Sequence, residues 1–448
     1  MASQDAGNDS KIYALINYED PYVQPLILKA LENRQTSESF ELISSLESLP
    51  ASTSRALQFL QYESLDFSHL LEHPTTSLAN AYVIRKALIR KHYLSTTVAN
   101  WITKHPNSAL AKGVKPSVEF EVDYAAFLDD ALVEAFELRE SWERGEGKES
   151  SEREWWILKP GMSERGQGIR LFSSEEELTE IFEEWDPESD DEEEDDADAR
   201  SDQDGRDEGE ATGNGIITSQ LRHFIAQPYI HPPLLLSPTN QPEDGSVRKF
   251  HIRTYVVAVG ALKVYVYKPM LALFAARPYT APWESPNDDE SLRAHLTNTC
   301  LQDSSERDGS VAAFWSLSDH LPNDVKVEST TPWKDKVFEQ VCKLTGEIFE
   351  AAARSMSIHF QPLPNSFEIF GLDFMIGIES DASLQTYLLE VNAFPDFRQT
   401  GQELKGLVEG LFEGVVDVGI APFFDFKDTT DGRVDNMRKV LDVDLGRR

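Results

Sequence analysis

The chain has 448 residues and a formal charge of −36, from 42 Lys and Arg against 78 Asp and Glu. An apolar share of 40% can bury a sizeable core, which excludes wholesale disorder, and the length suggests two or three domains. A field of this sign repels polyanions and so argues against a general nucleic-acid or anionic-membrane binder.

Residues 1–10 (MASQDAGNDS) contain no apolar segment of the kind a secretion signal needs. Cys300 and Cys342 are too few for a disulfide framework. The long apolar stretches 254–267 and 406–424 are interrupted by Lys263 and by Glu409, Glu413 and Asp417, so neither is expected to span a bilayer. The expectation is a cytoplasmic chain with no membrane segment and no nucleic-acid partner.

The elements read as mixed α/β. Residues 11–17 (KIYALIN) form a short apolar strand, and 21–32 carry a helical pattern with Pro21 at the start. A helix is expected over 78–94, ending in basic residues that suit its negative end, and another over 124–140. Polar stretches at 141–153 and 303–310 read as loops. From Glu154 strands dominate, with helices expected at 174–185, 334–354 and 402–416. Residues 186–210 hold fifteen Asp and Glu against Arg200 and Arg206, a local charge of −13 with almost nothing to bury. This run reads as a solvated acidic insertion, either without a role or as a segment that binds a partner.

Three motifs carry chemistry. The first is WWILKPGMSERGQGIRLF, in which the strand 155–159 leads into a loop with Gly161, Gly166 and Gly168 and then into the strand 169–172. It is not a P-loop, because Gln167 stands where Lys is required and a strand follows where a helix is needed. Lys159 beside such a loop suits a phosphate site, and an ordinary glycine hairpin fits equally well. Ser174, with Glu177 three residues on, has capping-box spacing for the next helix.

The second motif is a hairpin made by FEIFGLDFMIGIES and QTYLLEVNAFPDF, joined near Asp381. A turn centred between Asp381 and Ala382 sets Asp373 opposite Glu390. Like charges at directly opposed positions are destabilising. A divalent cation would relieve the conflict, with Asn392 on the same face adding an amide oxygen, and an all-oxygen set suits Mg2+. A pair of edge acids separated by water is the alternative. The third motif, RKFHIRTYVV, puts Lys249, His251 and Arg253 on one face of a strand. It reads as an anion site or as a stripe paired with surface carboxylates.

Seven segments, IRKAL, WILKPGMSERGQGI, QPYIHPPLLL, RKFHIRTYVV, HLTNTC, FEIFGLDFM and LLEVNAFP, occur in an order that resembles the tubulin–tyrosine ligase family, over roughly residues 10–425. The resemblance implies an α+β ATP-grasp fold. Its parts would be a small N-terminal α/β domain (1–75), a central lobe (76–238) and a C-terminal lobe (239–448), with ATP held between the two lobes. It also implies an ATP-dependent ligase that joins a free amino acid to a carboxylate of an acceptor protein, tubulin by default, through an acyl phosphate. Lys86, Lys159 and Lys249 would contact the nucleotide, Gln227, Tyr229 and Ile230 would hold the adenine, and Thr297 and Asn298 would lie beside it. Lys159 and Arg253 would serve the transferring phosphoryl group as catalytic residues, and Asp373, Glu390 and Asn392 would hold Mg2+. The acidic insertion would then be a candidate to occupy the acceptor groove in cis.

Three positions depart from the family pattern. His251 replaces an Asp, Leu273 stands where an Arg is usual, with Arg277 four residues on, and Pro228 replaces a hinge Lys. The first two lie where the resemblance places the incoming amino acid.

Overall fold

The computed structural model describes residues 11–34, 40–161, 168–185, 223–238, 247–285, 288–297, 310–322, 325–326, 331–400, 404–425 and 436–446. The acidic run 186–210, the loop interior 162–167, Asn298, Cys300 and the expected loop 303–309 lie outside these residues. The chain divides into two compact units, Ser117–Tyr229 and the remainder, formed by Met1–Pro116 with Ile230–Arg448. Residues 76–116, which the sequence groups with a central lobe, belong here to the larger unit.

The larger unit begins with a parallel sheet. Strand β1 (Ile12–Asn17) pairs with β2 (Phe40–Ile43) and β3 (Arg55–Leu60), and β3 pairs with β4 (Ser77–Ala79). Helix α1 (Gln24–Arg34) buries Leu26, Ile27, Ala30 and Leu31, the single stripe that a 3.6-residue period provides.

The helix expected over 78–94 is instead β4, an irregular buried stretch, and two helices, α2 (Lys86–Ile89) and α3 (Lys91–Lys104). Tertiary bonds override the periodicity there. The Asn80 amide donates to the Leu60 carbonyl at 2.9 Å and accepts its N–H at 3.0 Å, while the Tyr82 N–H donates to Glu368 at 3.1 Å. The backbone N–H groups of Ala79 and Asn80 likewise donate to the Asn365 and Gln58 carbonyls, so they are not available to a helix.

The smaller unit is an antiparallel sheet of β5 (Val118–Glu121), β6 (Trp156–Pro160), β7 (Arg170–Phe172) and β8 (His223–Pro228), in the order β5-β8-β6-β7. The helix expected over 124–140 is broken into a 3-10 turn at Ala125–Phe127, a helix at Leu128–Ala131, a second turn at Leu132–Glu134 and α4 (Phe136–Gly145). The expected loop 141–153 is therefore helical in its first part. Leu128, Leu132, Ala135 and Leu138 still reach the core, because tighter 3-10 turns align side chains three apart. Helix α5 (Glu175–Trp185) buries Leu178, Ile181, Phe182 and Trp185. Its start is capped as the spacing predicts: the Glu177 N–H donates to Ser174 Oγ at 3.2 Å.

The rest of the larger unit is built on an eight-stranded sheet. Its centre is β10 (Arg248–Val259), which follows the short β9 (Leu235–Leu236). Next come β11 (Lys263–Tyr267), β12 (Leu271–Phe274), β13 (Val311–Ala313), helix α6 (Trp333–Ser355), β14 (Phe367–Ile378) and β15 (Leu384–Ala393). Helix α7 (Lys405–Val415) and β16 (Met437–Asp442) close it. Strand β10 pairs with β14 along one edge, and with β12 and then β11 along the other.

Alternation splits these strands between two cores. Phe250, Ile252, Val256, Leu372, Phe374 and Ile376 join the Val337, Val341, Leu344, Ile348 and Phe349 stripe of α6. The alternate residues Tyr255, Val257, Phe367 and Ile369 join α1, α7 and the first sheet. That second core covers only part of its face. Beyond it the same face of β10 carries Lys249, His251 and Arg253.

Candidate functional site

On the continuing part of that face, β10 offers Lys249, His251 and Arg253, all buried, with exposures of 3%, 3% and 7%. Pairing with surface carboxylates is thereby ruled out for Arg253: it lies opposite Asp373 across the β10–β14 pair, and Asp373 is itself 3% exposed. Arg253 Nη2 donates to Asp373 Oδ2 at 2.9 Å, and Nε donates to Oδ1. This two-pronged grip is the strong geometry for guanidinium and carboxylate. Gly371 makes room for it, since a Cβ there would lie 2.9 Å from Pro395 Cβ and 3.3 Å from Arg253 Cδ.

Glu390 of β15 lies opposite Asp373. The turn end of the hairpin pairs Ile378 with Leu384, a register one residue short of that needed to oppose these acids. An irregularity after Asp373 adds the missing residue, so Phe374 pairs with Leu388 while Asp373 pairs with Glu390. A bulge of this kind turns neighbouring side chains to one side. Leu389, which packs on Ile230, Met375 and Tyr387, thus shares a neighbourhood with Glu390. Asn392 Nδ2 donates to Glu390 Oε1 at 3.0 Å and lies 3.4 Å from Asp373 Oδ2.

Burial pushes the Asp373 carboxyl up to about 7, with Arg253 pulling it down and Glu390 adding to the rise. Burial acts to lower the Arg253 value, and the adjoining Asp373 more than offsets it, so the guanidinium stays charged. His251 is held neutral, its value lowered to about 3 by burial and by the cations Arg253 and Lys249. Its Nδ1 is hydrogen-bonded to Thr297 Oγ1 at 2.6 Å, and its Nε2 lies 3.6 Å from Asp373 Oδ1. Directly across β12 stands Leu273, 1% exposed. The two departures from the family pattern are therefore one cross-strand pair.

The predicted residues Lys249, Arg253, Thr297, Asp373, Glu390 and Asn392 are thus gathered around one part of the larger unit, joined by Ile230 through its apolar contacts. Lys86 is exposed at the first turn of α2, which packs against β15. In the smaller unit Lys159 Nζ donates to Gln227 Oε1 at 2.8 Å, and Gln227 Nε2 donates to Ser117 Oγ at 2.7 Å. The Tyr229 N–H donates to the Trp155 carbonyl at 2.8 Å.

Sequence reading missed the apolar wall of Met375, Tyr387 and Leu389. Alternation from Asp373 reaches Met375, but the bulge hides Tyr387 and Leu389. It also missed Lys115, whose ammonium sits 4.4 Å above the Tyr387 ring, and the buried ion pair of Arg85 Nε with Glu368 Oε1 at 2.9 Å.

Among the described residues no three His, Cys, Asp or Glu side chains cluster as a metal centre. The candidate donors are two carboxylates and an amide, all able to present oxygen. Such a set fits Mg2+ completed by phosphate oxygens, with Asp373 shared between the ion and Arg253.

Residues 127–428 match the Tubulin-tyrosine ligase family. A probable tubulin–tyrosine ligase of Schizosaccharomyces pombe is 44% identical over 93% of this chain and 93% of its own length. A probable tubulin–tyrosine ligase of Saccharomyces cerevisiae is 43% identical over 87% of this chain but only 49% of its own length. The crystal structure of the C-terminal domain of K. lactis Pby1, described as an ATP-grasp enzyme interacting with the mRNA decapping enzyme Dcp2, matches with a TM-score of 0.66 and 35% identity. The match covers 97% of this chain and 99% of that one. The fold is that of ATP-grasp enzymes.

Proposed function

Because this chain belongs to the tubulin–tyrosine ligase family, we propose that it is an ATP-dependent carboxylate–amine ligase acting on a protein. A carboxylate is a poor electrophile at neutral pH, so it would be phosphorylated before an amine attacks it, with an acyl phosphate between the two steps. The observation that carries this reading is the grouping of Arg253, Asp373, Glu390 and Asn392 beside the apolar Ile230, Met375 and Leu389. The apolar side chains suit a planar base, and the charged set suits polyphosphate.

Each group has a role in this scheme. Arg253, already oriented by Asp373, would meet charge on the transferring phosphoryl group without reorganising. Lys86, Lys159 and Lys249 would add positive charge toward the phosphates. Asp373, Glu390 and Asn392 would hold Mg2+, which when bound neutralises phosphate charge. The acceptor would be a protein carboxylate, with tubulin the default, and the reaction would take place in the cytoplasm. A protein partner, as the description of the K. lactis relative gives for that enzyme, is part of the same proposal.

One observation favours a second reading, an ATP-binding module without ligase activity. His251 and Leu273 replace an acid and a base with a neutral, buried pair, and so offer no charges to a zwitterionic amino acid.

A single experiment separates the two readings. The protein is incubated with Mg-ATP, tubulin or a cell lysate and a panel of labelled amino acids, beside Glu390→Ala. Label that enters a protein band only with the wild type supports the ligase and identifies its amino acid. ATP binding without incorporation favours the second reading. ATP bound equally well by Glu390→Ala in the presence of magnesium overturns the metal assignment.

A further inference from the structure

The segment 124–136 of the smaller unit is apolar on two sides. Its inward residues Leu128, Leu132 and Ala135 are buried in the unit's core. Its outward residues Tyr124, Phe127, Val133 and Phe136 are 54%, 55%, 52% and 63% exposed. Four of the eight large exposed hydrophobic residues among the described residues therefore fall within thirteen positions. Tyr124 and Phe127 already touch edge to face, with ring centroids 6.3 Å apart. A short helical segment that is apolar on both sides is normally covered on both, and a concentration of exposed rings marks an interaction surface.

Charge narrows what covers it. Between Ser117 and Leu138 there are seven acidic residues and no Lys or Arg. Asp129, Asp130, Glu134 and Glu137 are exposed among the exposed rings. A second copy of the chain would bring the same acids face to face, and a nucleic acid or an anionic bilayer would be repelled. A basic partner has neither difficulty.

We propose that this face docks an amphipathic, net-basic segment of another protein. Bulky apolar side chains of that segment would seat between Tyr124, Phe127, Val133 and Phe136, and its Lys or Arg residues would lie over Asp129, Asp130, Glu134 and Glu137. None of Tyr124, Phe127, Val133 and Phe136 is among the proposed ATP and metal residues, so the docking proposal does not rest on whether the chain is a ligase.

The test uses the full chain and a fluorescent 18-residue Leu/Lys amphipathic helix as probe, with a Leu/Glu helix of the same pattern as control. Anisotropy titrations compare the wild type with Phe127→Ser/Phe136→Ser, and with a chain lacking residues 186–222, whose acidic run could attract a basic peptide by charge alone. Removing two central rings should weaken the Lys helix by about tenfold or more. The deletion should leave most of the affinity, and the Glu helix should not bind. Because both rings are exposed, the double variant should unfold at the wild-type temperature. Equal affinity for wild type and double variant overturns the proposal, as does a loss seen only with the deletion. A wild-type dimer that the double variant abolishes in sedimentation would assign the face to self-association instead.

Discussion

Replacing Arg253 by Met tests both the stability of the site and its chemistry. Arg253 and Asp373 are almost fully buried and share two charge-assisted hydrogen bonds. Without the guanidinium, the Asp373 carboxylate keeps long contacts, 3.4 Å from Asn392 and 3.6 Å from the neutral His251, and still faces Glu390. An uncompensated buried charge of this kind costs about 3–5 kcal/mol. For a unit of more than 300 residues that lowers the melting temperature by about 3–10 °C, taking roughly 1–2 °C per kcal/mol. Pairing Arg253→Met with Asp373→Leu removes both charges, so the double variant should be more stable than the sum of the single losses predicts. The deficit of Arg253→Met should also grow from pH 5 to pH 8. Asp373, freed from the cation that holds its value down, keeps its proton through this range while the unfolded chain releases it near the ordinary value, so the variant goes on losing stability above about pH 7, where wild-type Asp373 has ionised. Thermal unfolding of the four proteins in the absence of ATP is the assay. A loss below about 1 kcal/mol for Arg253→Met, or strict additivity in the double variant, would refute the buried pair. ATP bound by Arg253→Met as tightly as by wild type would refute the phosphate role.

Gly371→Ala should shift Arg253, because the new Cβ meets the stiff Pro395 ring at 2.9 Å and the Arg253 stem at 3.3 Å. About 1–3 kcal/mol of stability should be lost together with ATP affinity, read by thermal shift and calorimetry. Burial pushes Glu368 up to about 8 against the pull of Arg85. The folded state then holds a proton that the unfolded chain releases near its ordinary value, so this group's contribution is fully present in acid and lost as pH rises toward 8. Glu368→Gln removes that dependence, and its stability relative to wild type should improve steadily between pH 5 and 8 in denaturant titrations; parallel curves would refute this. His251→Asp sets a second acid beside Asp373 and should cost about 1–3 kcal/mol as an unpaired buried charge. Leu273→Arg, directly across the strand pair, should restore much of the loss in the double variant, and an unrescued double variant would count against the register.

The elements that sequence located well are those whose pattern and packing agree. Helices α1, α5, α6 and α7 each carry one apolar stripe that meets one core, so periodicity and burial give the same answer. The expected helix over 78–94 failed because Asn80 and Tyr82 are bound by Leu60 and Glu368, residues distant in sequence that periodicity does not contain. The one over 124–140 failed differently. Its apolar residues Leu128, Leu132, Ala135 and Leu138 are buried, but the backbone reaches them through 3-10 turns as well as helix.

The site was legible for a related reason, and its register shows where such reading stops. Two acids embedded in two apolar strands have few ways to sit without conflict, so the hairpin alone suggested that Asp373 and Glu390 face each other. The assumed turn centre, half a residue beyond Asp381, happens to give that pairing. The real turn is one register unit short, and the bulge between the site and the turn supplies the difference. Near Asp373 the simple and the bulged hairpins predict the same neighbour; beyond Phe374 they predict opposite faces. The simple hairpin therefore recovers Glu390 and Asn392 and loses Tyr387, which truly pairs with Met375. Nothing in LLEVNAFP marks an extra residue, because a bulge in a buried strand keeps apolar side chains on both sides of it. The charged half of the candidate site could be read from the sequence because charges constrain their neighbours, whereas the apolar half needed the structure.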